Sequence, residues 1–134
     1  MADEDSGGRA FAFREALALV PTREGKRFST VFERGQLLVE IYAPRGHDPQ
    51  QPHARDEAYV VIKGSGEFVS GERRDAFGPG DFLFAPAGVA HRFENFTDDL
   101  AVWVIFYGPC RGRPRPKSRP RSTRRKPAAC RRPA

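Results

Sequence analysis

QPHARDEAYVVIKGSGEFVSGERRDAFGPGDFLFAPAGVAHRFEN, residues 51–95, carries the pattern around which the rest of the chain is organised. Gln51, His53 and Glu57 all have odd numbers, so along an extended segment their side chains leave on one face, because successive strand residues alternate sides. One face then offers an amide, an imidazole and a carboxylate. Further on, Gly80, Pro86, Gly88, His91 and Asn95 punctuate the run GDFLFAPAGVAHRFEN. Glycine and proline turn the chain there, and His91 opens a short apolar strand. It supplies a second imidazole.

Working outward, 134 residues make room for one domain of ordinary size that can bury a real core without disulfides or metal. The 11 Phe, one Trp and three Tyr, set among 13 Gly and 12 Pro, favour short strands and turns, so the expected class is all-β. Residues 1–10 are short and polar and are expected to be disordered. Phe11 to Val20 reads as a short helix, since Phe13, Ala16, Leu17 and Val20 fall near one helical face and Pro21 stops it. Phe28 to Phe32 and Leu37 to Ala43 form a hairpin around Glu33-Arg34-Gly35. Glu57 to Lys63 is the clearest strand, with Glu67 to Ser70 expected to return antiparallel to it after Gly64-Ser65-Gly66. Short strands follow near Arg74 to Phe77, Phe82 to Ala85 and His91 to Glu94. Leu100 to Tyr107 (LAVWVIFY) is apolar on both faces, as in a strand buried between two sheets. About eight strands at close spacing suit a sandwich or barrel. A weak twofold echo of strand, glycine turn and strand suits a jelly roll.

The net charge of +6 is unevenly spread: eleven of the 23 basic residues lie in 109–134, which has no acidic residue, leaving residues 1–108 at −5. Residues 11–108 are the expected domain, and the Arg/Pro-rich segment 109–134 has nothing large and apolar to bury and is expected to be disordered. Cys110 and Cys130 sit in that segment, so the expected core has no cysteine to staple it, and reduced thiols are the plain reading. The sequence MADEDSGGRA lacks an apolar signal region and no apolar run suits a membrane span, which points to a cytoplasmic protein with no membrane partner.

From Phe28 to Gly108 the residues resemble the cupin family. The family's first motif has two His separated by one residue, then Glu and Gly; Gln51, His53, Glu57 and Gly64 occupy that frame, with glutamine in place of the first histidine. The second motif is filled without a gap by Gly80, Pro86, Gly88, His91 and Asn95. The resemblance implies a double-stranded β-helix, or jelly-roll barrel, with a divalent transition metal at its mouth, and small members of the family often pair as homodimers. His53, Glu57 and His91 are two imidazoles and one carboxylate, a set that leaves coordination positions open on Fe, Mn or Zn, and Gln51 adds a weaker amide oxygen. The competing account leaves the barrel mouth without metal, with His53 and His91 simply bonded to Glu57.

Tyr59, Val61 and Phe93 share the parity of the ligands and either line a substrate pocket or fill the core; Trp103 is core or pocket wall. His47 and Asp56 read as surface groups, and Asn95 as a residue that fixes the turn after its strand. The resemblance implies an oxygenase-type or isomerase-type metalloenzyme for a small organic substrate as the first expectation, although fold alone does not fix the reaction. A non-catalytic module for a metal or small ligand is the alternative, and non-specific nucleic-acid binding by the basic segment is a third.

Overall fold

The computed structural model describes residues 7–109. Residues 7–10 are exposed and without regular structure, while residues 1–6 and the basic segment from Cys110 onward, with both cysteines, lie outside the described residues. The order of elements is α1 (Phe13–Leu17), β1 (Phe28–Arg34), β2 (Leu37–Tyr42), β3 (Asp56–Lys63), β4 (Gly66–Ser70), β5 (Arg73–Phe77), β6 (Phe82–Ala85), β7 (His91–Glu94) and β8 (Ala101–Tyr107). They build two antiparallel sheets, one of five strands ordered β1-β2-β8-β3-β6 and one of three ordered β5-β4-β7. This is the all-β jelly roll that the strand pattern implies.

Which side chains face inward follows from register, because residues directly opposite each other on paired strands share a face. In the five-stranded sheet Glu57 pairs with Phe106, Tyr59 with Val104 and Val61 with Val102. In the three-stranded sheet His91 pairs with Ser70 and Phe93 with Phe68. These two faces meet in one core, where the Phe93 ring lies 5.0 Å from Tyr59, 5.7 Å from Phe68 and 5.4 Å from Phe77. Each aromatic side chain buried there contributes about 1.5–3 kcal/mol. Glu40 is also buried, on the inward row with Val104.

The sequence pattern misplaces three features. β4 does not return beside β3; it opens the other sheet, so Gly64-Ser65 is a crossing between layers and not a hairpin turn. Composition cannot distinguish the two, but space can: a Cβ on Gly64 would stand 2.5 Å from the Cα of Leu100, and Gly64 has φ +91°. Only glycine passes there. β8 is central in its sheet but is not buried alike on both faces: Val102, Val104 and Phe106 are buried, whereas Trp103 and Ile105 are half-buried. The helix is five residues long, shorter than Phe11 to Val20: Ala12 before it is in extended backbone, and past Leu17 the bonds tighten to those of Leu19 N–H to the Ala16 carbonyl and Val20 N–H to the Leu17 carbonyl. Its Phe13 ring meets Trp103 edge-on at 6.5 Å, covering part of the outer face.

Candidate metal centre

Glu57 is the second residue of β3 and is fully buried, paired with Phe106 on one side and Ala85 on the other. His91 is the first residue of β7, 3% exposed. His53 is 7% exposed and precedes β3 in a segment without regular structure. The expected strand face shared by Gln51, His53 and Glu57 is therefore not what aligns them. Instead the Gly88 N–H donates to the His53 carbonyl at 2.7 Å, and the Ala87 N–H donates to Asp56 Oδ1 at 2.9 Å. Two bonds thus clamp the segment of His53 to the turn that leads into His91. Asp56 is a turn anchor and not a plain surface charge.

Both imidazoles aim the same nitrogen at one oxygen: His91 Nε2 lies 2.9 Å and His53 Nε2 3.4 Å from Glu57 Oε1. The ligand atoms of the three residues all lie within 4.8 Å of one another. His91 Nδ1 is 3.0 Å from the Val89 carbonyl, which can only accept, so Nδ1 carries the proton. A neutral His91 then turns the lone pair of Nε2 toward a carboxylate, a repulsive contact that a proton or a metal cation relieves. Burial lowers the His91 pKa, but the bond and charge of Glu57 and the Val89 carbonyl outweigh it and raise it above the ordinary value. A buried imidazole oriented through its other nitrogen is the arrangement of a metal-ligating histidine. The donor set fits a divalent transition metal.

The other residues singled out in the sequence are placed as follows. Gln51 is exposed and lines, with His53, a cleft of about 310 Å³. The exposed His47 lines the same cleft and is not in the cluster. Tyr59 and Phe93 are fully buried beneath the centre, with Tyr59 6.2 Å ring to ring from His91, and Val61 belongs to the core cluster. Trp103 lies on the opposite face of its sheet, against Phe13, and does not wall the centre. Asn95 donates from Nδ2 to Glu67 Oε1 at 2.7 Å and so ties its turn to β4.

Two polar residues that carry the centre have no signal in the sequence pattern. Asp48, buried in the loop after β2, accepts from the Tyr42 hydroxyl, from Gln50 Nε2 at 2.7 Å and from the Phe93 N–H at 2.7 Å. Gln50 in turn accepts from the Tyr59 hydroxyl at 2.9 Å. Burial raises the Tyr59 pKa well above its ordinary value, and the nearby charge of Glu57 adds to it, so the phenol stays protonated. The loop is thereby bonded to both sheets.

Comparison with known proteins agrees with this arrangement. Residues 38–107 match the model of the cupin domain family. An uncharacterized protein of Streptomyces coelicolor is 34% identical over 103 residues, covering 75% of this chain and 97% of its own length. Acireductone dioxygenase from Rhodopseudomonas palustris is 33% identical over 89 residues, 63% of this chain and 45% of that protein, so the chain spans about half of that relative. Among solved structures, KdgF from Halomonas superposes with a TM-score of 0.61 at 20% identity, covering 75% and 94% of the two chains. A cupin-2 protein from Shewanella frigidimarina gives 0.60 at 16%, covering 74% and 95%. With Glu57 of the first motif and His91 of the second on facing sheets, and the family match spanning β2 to β8, the chain belongs to the cupin domain family.

Proposed function

We propose that the chain is a metal-dependent cupin enzyme in which His53, Glu57 and His91 hold Fe, Mn or Zn, with Gln51 at the edge of the centre, and which acts on a small organic substrate in the adjoining cleft. The observation that carries this reading is the convergence of two buried imidazole Nε2 atoms on one buried carboxylate oxygen. A metal held by two imidazoles and a carboxylate keeps positions open and supplies oxygen activation or polarisation of a carbonyl. Oxygenase-type chemistry is the first choice, supported by the partial likeness to an acireductone dioxygenase, and isomerase-type chemistry the second.

The chain's own residues have definite parts in this. The Val89 carbonyl fixes the tautomer of His91, and Phe106, edge-on to the His53 ring at 5.2 Å, keeps water from one side of it. Tyr59 holds a proton on its hydroxyl beneath Glu57, bonded to Gln50. The test is metal analysis of untagged protein followed by oxygen uptake with Fe(II) against a panel of small enols and phenols. Bound metal with uptake on one substrate class supports the reading. Bound metal without turnover of any oxygenase or isomerase substrate leaves a non-catalytic module, and failure to bind Fe, Mn or Zn overturns it.

A further inference from the structure

The lining of the cleft beside His53 gathers positive charge against the trend of the chain. Residues 1–108 carry a net charge of −5, yet Lys26 and Arg27 line this cleft, and among the described residues that line it none is acidic. Lys26 and Arg27 are half-buried; the Lys26 ammonium stands 5.9 Å from the centroid of the Phe28 ring, while burial is costly for Arg27, a cation without a counter-charge. Arg27 donates from Nε to the Ala43 carbonyl at 2.7 Å, which fixes the plane of its guanidinium and leaves its two terminal nitrogens without an ion pair among the described residues. It also borders a neighbouring cleft that holds Asp98 and Asp99, and no ion pair joins it to either. Burial, and then the like charge of Arg45, lower its pKa, as expected of a cation lacking a counter-charge.

Lys26 is partly compensated. Its charge helps lower the pKa of the exposed Glu24, after that residue's own backbone N–H and the Thr22 hydroxyl. The buried carboxylate bonded to the lining residues, Asp48, is already engaged by three donors. Beside the cations the wall is apolar, with Phe28, Tyr42 and Pro44, and the volume of about 310 Å³ suits a small molecule.

We propose that this cleft binds a small organic anion, a carboxylate with an apolar body, its acid group held by Arg27 with help from Lys26 and its body lying along Phe28 and Tyr42 toward His53. Arg27 is the stronger contributor, because a guanidinium fork meets a carboxylate with two parallel bonds. The proposal rests on the reading of His53, Glu57 and His91 as a metal centre, since it takes this cleft as the way to that centre.

The experiment is an NMR titration of the metal-free chain with benzoate and with benzamide, which match in shape and differ in charge. Metal-free protein is used so that the carboxylate cannot bind a metal directly. Benzoate is expected to bind about tenfold more tightly than benzamide, shifting resonances of residues around Arg27 and Phe28, and to weaken with added salt. Arg27→Gln should abolish most of that preference and Lys26→Gln a smaller part. If Arg27→Gln loses its fold with the Ala43 bond, Arg27→Lys, expected to keep part of the preference, and Lys26→Gln decide. Equal affinity for the two probes, or a preference unchanged in both variants, overturns the proposal. A Zn(II) titration of the same protein reads the metal centre separately. Zinc bound without a benzoate preference removes only the anion site, and a benzoate preference without zinc binding removes the metal centre while leaving the anion cleft.

Discussion

Oε1 of Glu57 lies 2.9 Å from Nε2 of His91 although β3 and β7 belong to different sheets. The candidate centre therefore stands where the two layers face each other, and His53 reaches it from a loop bonded to the β6–β7 turn. A cation bound there would touch both layers and one connecting loop. Because those three pieces come together only in the folded chain, such a cation favours folding by mass action. The chain should melt at a higher temperature with saturating Mn or Zn than in chelator.

Glu57→Gln separates ligation from packing. The amide keeps the size of the carboxylate and removes its charge, so metal affinity should fall about a hundredfold or more. Stability of the metal-free form should hold or rise at pH 8, because a fully buried carboxylate is costly to desolvate and His91 can lose its proton once its partner is neutral. Metal titration and thermal melts of the variant check both parts. A large fall in the metal-free melting temperature would mean that the charge of Glu57 serves the fold.

The raised His91 pKa sets a pH dependence of definite sign. A group whose folded pKa lies above its unfolded value stabilises the fold fully below the unfolded value, about 6.5 for histidine, and that contribution is lost as pH rises through the folded value. Metal-free protein should thus lose stability as pH climbs through that window. Metal affinity should change in the opposite sense, since a metal must displace the proton on His91 and binds more tightly as the pH rises. Melts at a series of pH values, with and without Zn(II), would show the two trends crossing. Parallel trends would place the proton elsewhere.

Asp48→Asn tests the loop. The carboxylate accepts from Tyr42, Gln50 and the Phe93 N–H; an amide has one accepting oxygen and brings donors toward donors. The expected cost is about 1–3 kcal/mol by denaturant unfolding, with weaker metal binding because Gln50 and His53 share that loop. Unchanged metal affinity in a folded Asp48→Asn protein would show that the loop does not position His53.

Much of the centre is legible in the two motifs alone. Glu57 and His91 can be read because each sits on a strand, where alternation decides the face, and because Gly80, Pro86 and Gly88 mark the turn that delivers His91. Trp103 goes to the outer face by the same alternation, one residue from Val104. Asp48 and Gln50 are illegible for a physical reason: their partners Phe93 and Tyr59 are 45 and 9 residues away, and a loop has no periodicity to announce which side chains turn inward. Gly64 announces a change of direction by its residue type, but nothing local to it says which layer the chain enters next. The cations of the cleft are hidden too, since Lys26 and Arg27 look like any charged pair before a strand.

Gln51→His probes the one departure from the family's motif. Gln51 lines the cleft beside His53 and is exposed, so an imidazole there can be accommodated without displacing buried atoms. An imidazole nitrogen is a stronger donor to Fe, Mn or Zn than an amide oxygen, and the variant would present three histidines and one carboxylate. Affinity should rise, by about tenfold or more in a competitive titration against a chelator of known strength. The gain should be smaller for Mn, which accepts oxygen donors readily, than for Zn. Tyr59 and Phe93 lie beneath the centre and are unaffected by a change at its rim, so metal-free stability should stay within about 0.5 kcal/mol of the parent. An affinity that is unchanged for every metal, in a protein of unchanged stability, would show that the side chain at position 51 does not reach the ion, and that the centre is built from His53, Glu57 and His91 alone.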